Sequence, residues 1–329
     1  MEDLHFYRRL SIAPMLDYTD RHERYFLRML SRNILLYSEM ITAPALLHGE
    51  PERFLRHHPA EHPVALQLGG SHPQNLALCA KMGEDAGYSE INLNCGCPSD
   101  RVQSGSFGAC LMKEAALVGE CISAMQAAVK IPVTIKTRIG IDHDDSWEFF
   151  LDFIETTGRA GCDTYIIHAR KAWLKGLSPK ENREVPPLNY EFVFRLKALK
   201  PHLNISINGG VRTLAQTKEL LQKLDGVMIG REAYENPWML READAEIYGK
   251  ENPGWKTRKQ LLEAFFPYVE EQLKDGCPLN IITRHLFGLF NGLPGARTYR
   301  RILSEKASKA GADLRVLKEA MNAVEEQVL

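Results

Sequence analysis

Asn92, Asn94, Cys95 and Cys97 fall within one short run, and Gly96 and Pro98 break the chain on either side of the second thiol. A thiol on a backbone fixed in that way can serve as nucleophile, metal ligand or proton donor. A lone cysteine is more often a small buried hydrophobe, but an asparagine-rich strand end favours the chemical role. The preceding Glu90-Ile91-Asn92-Leu93 alternates polar and apolar as a strand does. Seven cysteines form no regular framework and no CxxC pair occurs, so neither disulfides nor a metal site is expected.

Other short apolar runs also end in polar groups. Gln67 follows Val64-Ala65-Leu66, Lys136 and Arg138 follow Val133-Thr134-Ile135, and His168 with Arg170 follows Tyr165-Ile166-Ile167. One lysine at such a place reads as a side chain snorkelling to solvent; the same pattern on several strands reads as a site. Asn208-Gly209-Gly210 and Gly230-Arg231 end two further runs, where glycines let backbone amides approach an anion and the arginine adds charge. Together they point to a phosphorylated ligand.

The elements that would hold these groups are eight strands near Ser11 to Pro14, Leu35 to Glu39, Val64 to Leu68, Glu90 to Leu93, Val133 to Lys136, Thr164 to His168, Asn204 to Ile207 and Gly226 to Ile229. Amphipathic stretches between them, such as Pro73 to Ala86 and Trp147 to Arg159, complete the rhythm of a (βα)8 TIM barrel, an α/β fold whose site lies at the strands' C-terminal ends. The rhythm stops near Tyr248, and the remaining residues are all helical in pattern. The expected division is a barrel over residues 1–248 and a C-terminal all-helical domain over 249–329.

The chain has 329 residues, 44% hydrophobic and 25% charged, with a net charge of −1, so any polyanion must be held by local basic clusters rather than by the whole surface. The N-terminus has no apolar signal core and no run is long enough to span a bilayer, so a cytoplasmic protein with no membrane contact is expected.

Taken in order, Ala13-Pro14-Met15, Asn94-x-Gly96-Cys97-Pro98, Gly105-x-x-Gly108, Lys136-x-Arg138, His168-Ala169-Arg170, Asn208-Gly209-Gly210 and Gly230-Arg231 resemble the dihydrouridine synthase family over essentially the whole chain. The stretch Trp173 to Arg183 and the tail Gly295 to Arg300 look like its A-type bacterial branch, which acts on positions 20 and 20a of tRNA. The resemblance implies FMN as cofactor and NADPH (or NADH) as reductant. It implies an FMN phosphate on Gly209, Gly210, Gly230 and Arg231, with Asn208 also at the cofactor, a ring lined by Pro14, Met15 and Leu16, and hydrogen bonds to that ring from Gln67, Lys136 and His168. The family reaction delivers a hydride to C6 of uracil while an acid protonates C5, a role that falls to Cys97 and wants a neutral thiol. Asn94, Arg138, Lys180, Arg183, Arg297 and Arg300 would contact the tRNA, Tyr299 among the arginines could stack on a base, and a monomer is expected. Cys95 departs from the family pattern and raises the question whether it could replace Cys97. Two rivals are an FMN barrel acting on a free pyrimidine, like dihydroorotate dehydrogenase, and an RNA-binding protein without redox activity.

Overall fold

The computed structural model describes residues 3–99 and 107–326; Gly105 of the Gly105-x-x-Gly108 motif lies outside them. Eight parallel strands form one sheet: β1 (Leu10–Ile12), β2 (Leu36–Thr42), β3 (Val64–Gly69), β4 (Glu90–Cys95), β5 (Val133–Arg138), β6 (Thr164–His168), β7 (Asn204–Asn208) and β8 (Gly226–Ile229). They pair in the order β1-β8-β7-β6-β5-β4-β3-β2, and a parallel bridge from Ser11 to Leu35 brings β1 back beside the start of β2. The result is the expected (βα)8 barrel, with helices Pro73–Asp85, Ala115–Ala128, Trp147–Arg159, Tyr190–Leu199 and Leu214–Leu220 on the crossovers. Ser146 and Thr213 cap two of them by accepting from the backbone N–H of Phe149 and Gln216, each at 3.1 Å.

Strand alternation decides which side chains enter the barrel. Along β4, Ile91 faces the helical layer: a Cβ placed on Gly83 of the helix Pro73–Asp85 would lie 2.8 Å from Ile91 Cδ1 and 2.5 Å from Leu66 Cδ2, so that glycine permits close helix-to-strand packing. Glu90, Asn92 and Asn94 point the other way and bond to side chains of β2, β3 and β5. The polar alternation of β4 therefore marks no solvated face. Its polar residues are the barrel's interior, and Glu90 and Asn92 are fully buried.

The chain divides into two compact units, Met1–Arg21 with Ile34–Gly230, and His22–Asn33 with Arg231–Leu329. The boundary thus lies at Gly230 rather than at the expected residue 248, and the second unit is discontinuous. Asp244 gives one reason: its carboxylate accepts from Ser31 Oγ at 2.5 Å and from the backbone N–H of Arg32 and Asn33 at 2.8 and 3.2 Å. Apolar burial gives another, since Phe26 packs edge-on to Phe265 and Tyr25 stacks on Tyr268 with centroids 4.0 Å apart. Helices Arg258–Lys274, Leu279–Thr283, Ala296–Lys306 and Leu314–Asn322 complete that unit.

Candidate active site

Asn94 organises the barrel mouth. Its Oδ1 accepts from the backbone N–H of Gly96 at 3.1 Å and of Cys97 at 3.0 Å, and its Nδ2 donates to Gln67 Oε1 at 2.8 Å. An asparagine bonding its own chain two and three residues on is a compact way to turn a strand end. The Cys97 carbonyl then accepts from Ala109 N–H at 2.9 Å, and its partly exposed Sγ lies 3.5 Å from Ser99 Oγ. Cys95 is fully buried, and burial, with Cys121, Cys162 and Cys110 nearby, pushes its thiol well above the usual range. It is the next residue along β4 and so lies on the strand face opposite Asn94.

Lys136 donates from Nζ to Asn208 Oδ1 at 3.1 Å, and Asn208 Nδ2 donates to the carbonyl of Met228 at 2.8 Å. Burial, then the charge of Arg138, pull the Lys136 ammonium down to about 7, against the Cys97 thiol, which raises it. His168 is held well below its ordinary value by burial and then by Arg138, Lys136, Arg170 and Arg183, so it is neutral in the mouth. Burial also brings Arg138 down to about 10. Among the described residues neither Lys136 nor Arg138 pairs with a carboxylate. A buried cation without a counter-charge is costly, so this donor set suits an anionic ligand.

The glycines at the ends of β7 and β8 leave room for one. Gly209 and Gly210 have φ of 113° and 78°, and a Cβ on them would lie 2.7 Å from His168 Cδ2 and 2.5 Å from Leu188 Cδ1. A Cβ on Gly230 would meet nothing nearer than Ala13 Cβ at 3.7 Å and Met15 Sδ at 3.8 Å. After β1, the Met15 N–H donates to Thr19 Oγ1 at 3.0 Å, Pro14 and Met15 are half-buried, and Leu16 is 58% exposed. Gln67, Asn94, Cys97, Lys136, His168, Asn208, Gly209, Gly210 and Gly230 thus come together at the C-terminal end of one barrel.

Arg138 differs from expectation. It is buried, and its guanidinium donates to backbone carbonyls: Nε to Gly96 at 2.8 Å, and Nη1 to Lys171 and Asn182 at 3.0 Å each. The geometry makes it a pin between the thiol turn and the loop after β6. That loop winds around Asn182, fully buried, whose side-chain amide accepts from Trp173 N–H at 2.7 Å and donates to the carbonyls of Trp173 and Leu177 at 2.9 and 3.1 Å. Lys180 and Arg183 stand exposed on the loop.

In the second unit, Arg231 opens the helix Arg231–Glu235 directly after Gly230. Arg297 is exposed on the helix Ala296–Lys306, and Arg300 donates to Asn291 Oδ1 at 2.7 Å. Tyr299 does not stand among them as a stacking platform: it is fully buried, edge-on to Phe290 at 4.8 Å, with its hydroxyl donating to the Leu286 carbonyl at 3.3 Å. On an amphipathic helix the residue between two arginines belongs to the apolar face. The structure also brings in Arg8, Tyr37, Glu90, Thr134 and Asn182, to which the sequence alone assigns no role, and gives Asn92 its partners Gln67 and Thr134. The one available signal was the polar spacing Glu90, Asn92, Asn94 on a strand whose other face is apolar.

Among the described residues no group of three or more His, Cys, Asp or Glu could hold a metal ion, and no helix is long and apolar enough to cross a membrane. A 2-naphthoyl-CoA reductase, solved with 2-naphthoyl-CoA, superimposes with a TM-score of 0.57 at 11% identity over 74% of this chain and 50% of that one, a likeness of fold. Among curated proteins, the tRNA-dihydrouridine(20/20a) synthase of Escherichia coli is 58% identical over 98% of this chain and 93% of its own length. The proteins of that name from Vibrio vulnificus and Shewanella oneidensis are 55% and 58% identical, over 97% of this chain and 98% and 94% of theirs. The family model described as Dihydrouridine synthase matches residues 11–326. With that match running through both units and the relatives nearly end to end, the chain belongs to the dihydrouridine synthase family.

Proposed function

We propose that this protein reduces the C5–C6 double bond of D-loop uridines in tRNA, at positions 20 and 20a, with FMN as cofactor and NADPH (or NADH) as reductant, acting as a cytoplasmic monomer. The observation that carries the reading is the Asn94–Cys97 turn, which sets a partly exposed thiol at the mouth of a barrel rich in buried cations. Gly209, Gly210 and Gly230, with Arg231 next in the chain, suit the FMN phosphate, and Gln67, Lys136 and His168 suit its ring, lined by Pro14, Met15 and Leu16. FMN held by these residues would supply the hydride chemistry that C6 of the uracil needs. Cys97 donates the proton to C5, and Asn94 holds the pyrimidine edge. Lys136 stabilises negative charge beside it, and neutral His168 offers a hydrogen bond without adding charge.

The uracil must leave its stack to reach the barrel, at a cost of a few kcal/mol. Lys180 and Arg183 on the loop of the first unit, and Arg297 and Arg300 on the helix of the second, would offset it through phosphate contacts. Arg138 supports that loop rather than touching RNA itself. Incubation of the purified protein with FMN, NADPH and tRNA lacking the modification tests the reading. Nucleoside mass spectrometry should find dihydrouridine in the D-loop fragment at positions 20 and 20a. Turnover of free uracil as fast as tRNA, or no dihydrouridine at all, would refute it.

A further inference from the structure

Beneath the mouth an unbroken chain of side-chain hydrogen bonds crosses the barrel from the thiol turn to its floor. Asn94 Nδ2 donates to Gln67 Oε1, Gln67 Nε2 to Asn92 Oδ1 and Asn92 Nδ2 to Thr134 Oγ1, each at 2.8 Å. Thr134 Oγ1 in turn donates to Glu90 Oε1 at 2.5 Å. Glu90 also accepts from Tyr37 Oη at 2.9 Å and from Arg8 Nη2 and Nε at 2.7 and 3.1 Å. All these side chains are buried, Asn94 being the most exposed at 8%.

Both ends of the chain fix its direction. At the mouth, the Gly96 and Cys97 N–H groups can only donate, so the atom facing them must be the Asn94 oxygen. At the floor, the Glu90 carboxylate paired with Arg8 can only accept, so the Thr134 hydroxyl must point its hydrogen there and receive the Asn92 amide. Each amide between them then has one orientation, because turning any of them over would oppose two donors or two acceptors among buried groups. Asn94 is left with its oxygen doubly occupied and one amide N–H to offer. Toward a ligand it is a donor, suited to a pyrimidine carbonyl oxygen.

We propose that Asn92 and Thr134 are positioning residues: buried below the mouth, they hold Asn94 in its donor orientation and thereby set the uracil against Cys97. The inference rests on the function proposed above. Thr134→Val keeps the shape but leaves the Asn92 amide without its acceptor and removes one of the donors to Glu90, whereas Thr134→Ser keeps both bonds.

Two measurements test it. In hydrogen–deuterium exchange of the cofactor-free protein, the Gly96 and Cys97 amides should exchange faster in Thr134→Val and as in the unmodified protein in Thr134→Ser. In single-turnover reactions, Thr134→Val should slow uracil reduction by about 10²-fold, the scale of an ångström of misplacement, while NADPH reduces the flavin at the unmodified rate and Thr134→Ser restores turnover. Unchanged exchange at Gly96 and Cys97, equal slowing of both half-reactions, or the same behaviour of valine and serine variants would overturn the proposal. Asn92→Asp keeps the shape if the valine variant fails to fold. It donates to Thr134 only when its new carboxyl is protonated, beside Glu90, Tyr37 and Arg8. Uracil reduction by this variant, relative to the unmodified protein, should therefore rise as pH falls, and a flat ratio from about pH 5.5 to about pH 8.5 would also overturn it. Were the unmodified protein to make no dihydrouridine, the function proposed above would fail while the exchange arm still decided the hydrogen-bond chain.

Discussion

Arg138 Nη1 donates to the carbonyl oxygen of Asn182 at 3.0 Å, so the strand that carries Lys136 also anchors the loop that carries Lys180 and Arg183. The same guanidinium reaches Gly96 in the thiol turn. An ammonium cannot span three carbonyls in those directions. Arg138→Lys should therefore leave buried acceptors unmet and lower stability by about 1–3 kcal/mol, read by urea denaturation, and weaken tRNA binding as the loop loosens. Unchanged stability and affinity would show that the pin contributes nothing.

Cys97 and Cys95 can be separated by half-reaction. Cys97→Ala should let NADPH reduce the flavin normally while dihydrouridine formation falls by about 10²- to 10⁴-fold, as for loss of a general acid. Cys95→Ala removes a buried sulfur facing away from the mouth and should cost stability with little effect on turnover. Stopped-flow flavin absorbance and nucleoside mass spectrometry read the two steps, and the reverse pattern would move the acid to Cys95.

Lys136 links cofactor binding to pH. Without a ligand its ammonium titrates near 7, below the ordinary lysine value of 10.5, so between those values the unfolded chain binds a proton that the folded one lacks. Stability of the cofactor-free protein should rise with pH through that window as the buried charge is lost, and the full penalty should apply below pH 7. The reduced flavin ring is anionic, and beside Lys136 that charge favours the protonated ammonium. Binding of reduced FMN near pH 8 to 9 should then take up a proton, and affinity should weaken as pH rises, by at most about tenfold per unit for one linked proton. Calorimetry in buffers of different ionisation enthalpy measures the uptake; Lys136→Met should abolish it.

The basic residues predict a salt signature. Lys180→Ala with Arg183→Ala, and separately Arg297→Ala with Arg300→Ala, should each weaken tRNA binding and flatten the slope of log K against log salt by roughly 0.7 to 0.9 for each phosphate no longer neutralised. NADPH oxidation should be unaffected. A pair that changes neither quantity does not touch the RNA.

The barrel was legible because parallel strands buried on both faces are short, nearly continuous apolar runs. For β6 and β8 the expected limits, Thr164 to His168 and Gly226 to Ile229, are those observed. The mouth was legible because strand ends carry polar residues that a core would reject. Alternation along β4 could not reveal that its polar face points inward, since a period of two names two faces without saying which is wet. The resemblance implies an RNA contact for Arg138, but its partners are main-chain carbonyls of Gly96, Lys171 and Asn182, which no side-chain type in the sequence announces. Proximity in sequence to Arg297 and Arg300 says nothing about helix face, and Tyr299 is buried.

The split second unit constrains how the protein can be made and taken apart. The segment His22–Asn33 leaves the ribosome long before Asp244 and Phe265, so Phe26 and the amides of Arg32 and Asn33 wait for partners until most of the chain has been translated. A nascent chain halted early would expose that apolar surface to chaperones and to aggregation. For dissection, a fragment ending at Gly230 would leave the segment His22–Asn33 without its partners, one ending at Tyr248 would keep Asp244 but lose Phe265 and Tyr268, and excision of the C-terminal helices would lack their N-terminal contributor. Independent preparation of the two units calls for moving residues 22–33 to a new chain position, with a short bridge closing the barrel behind them.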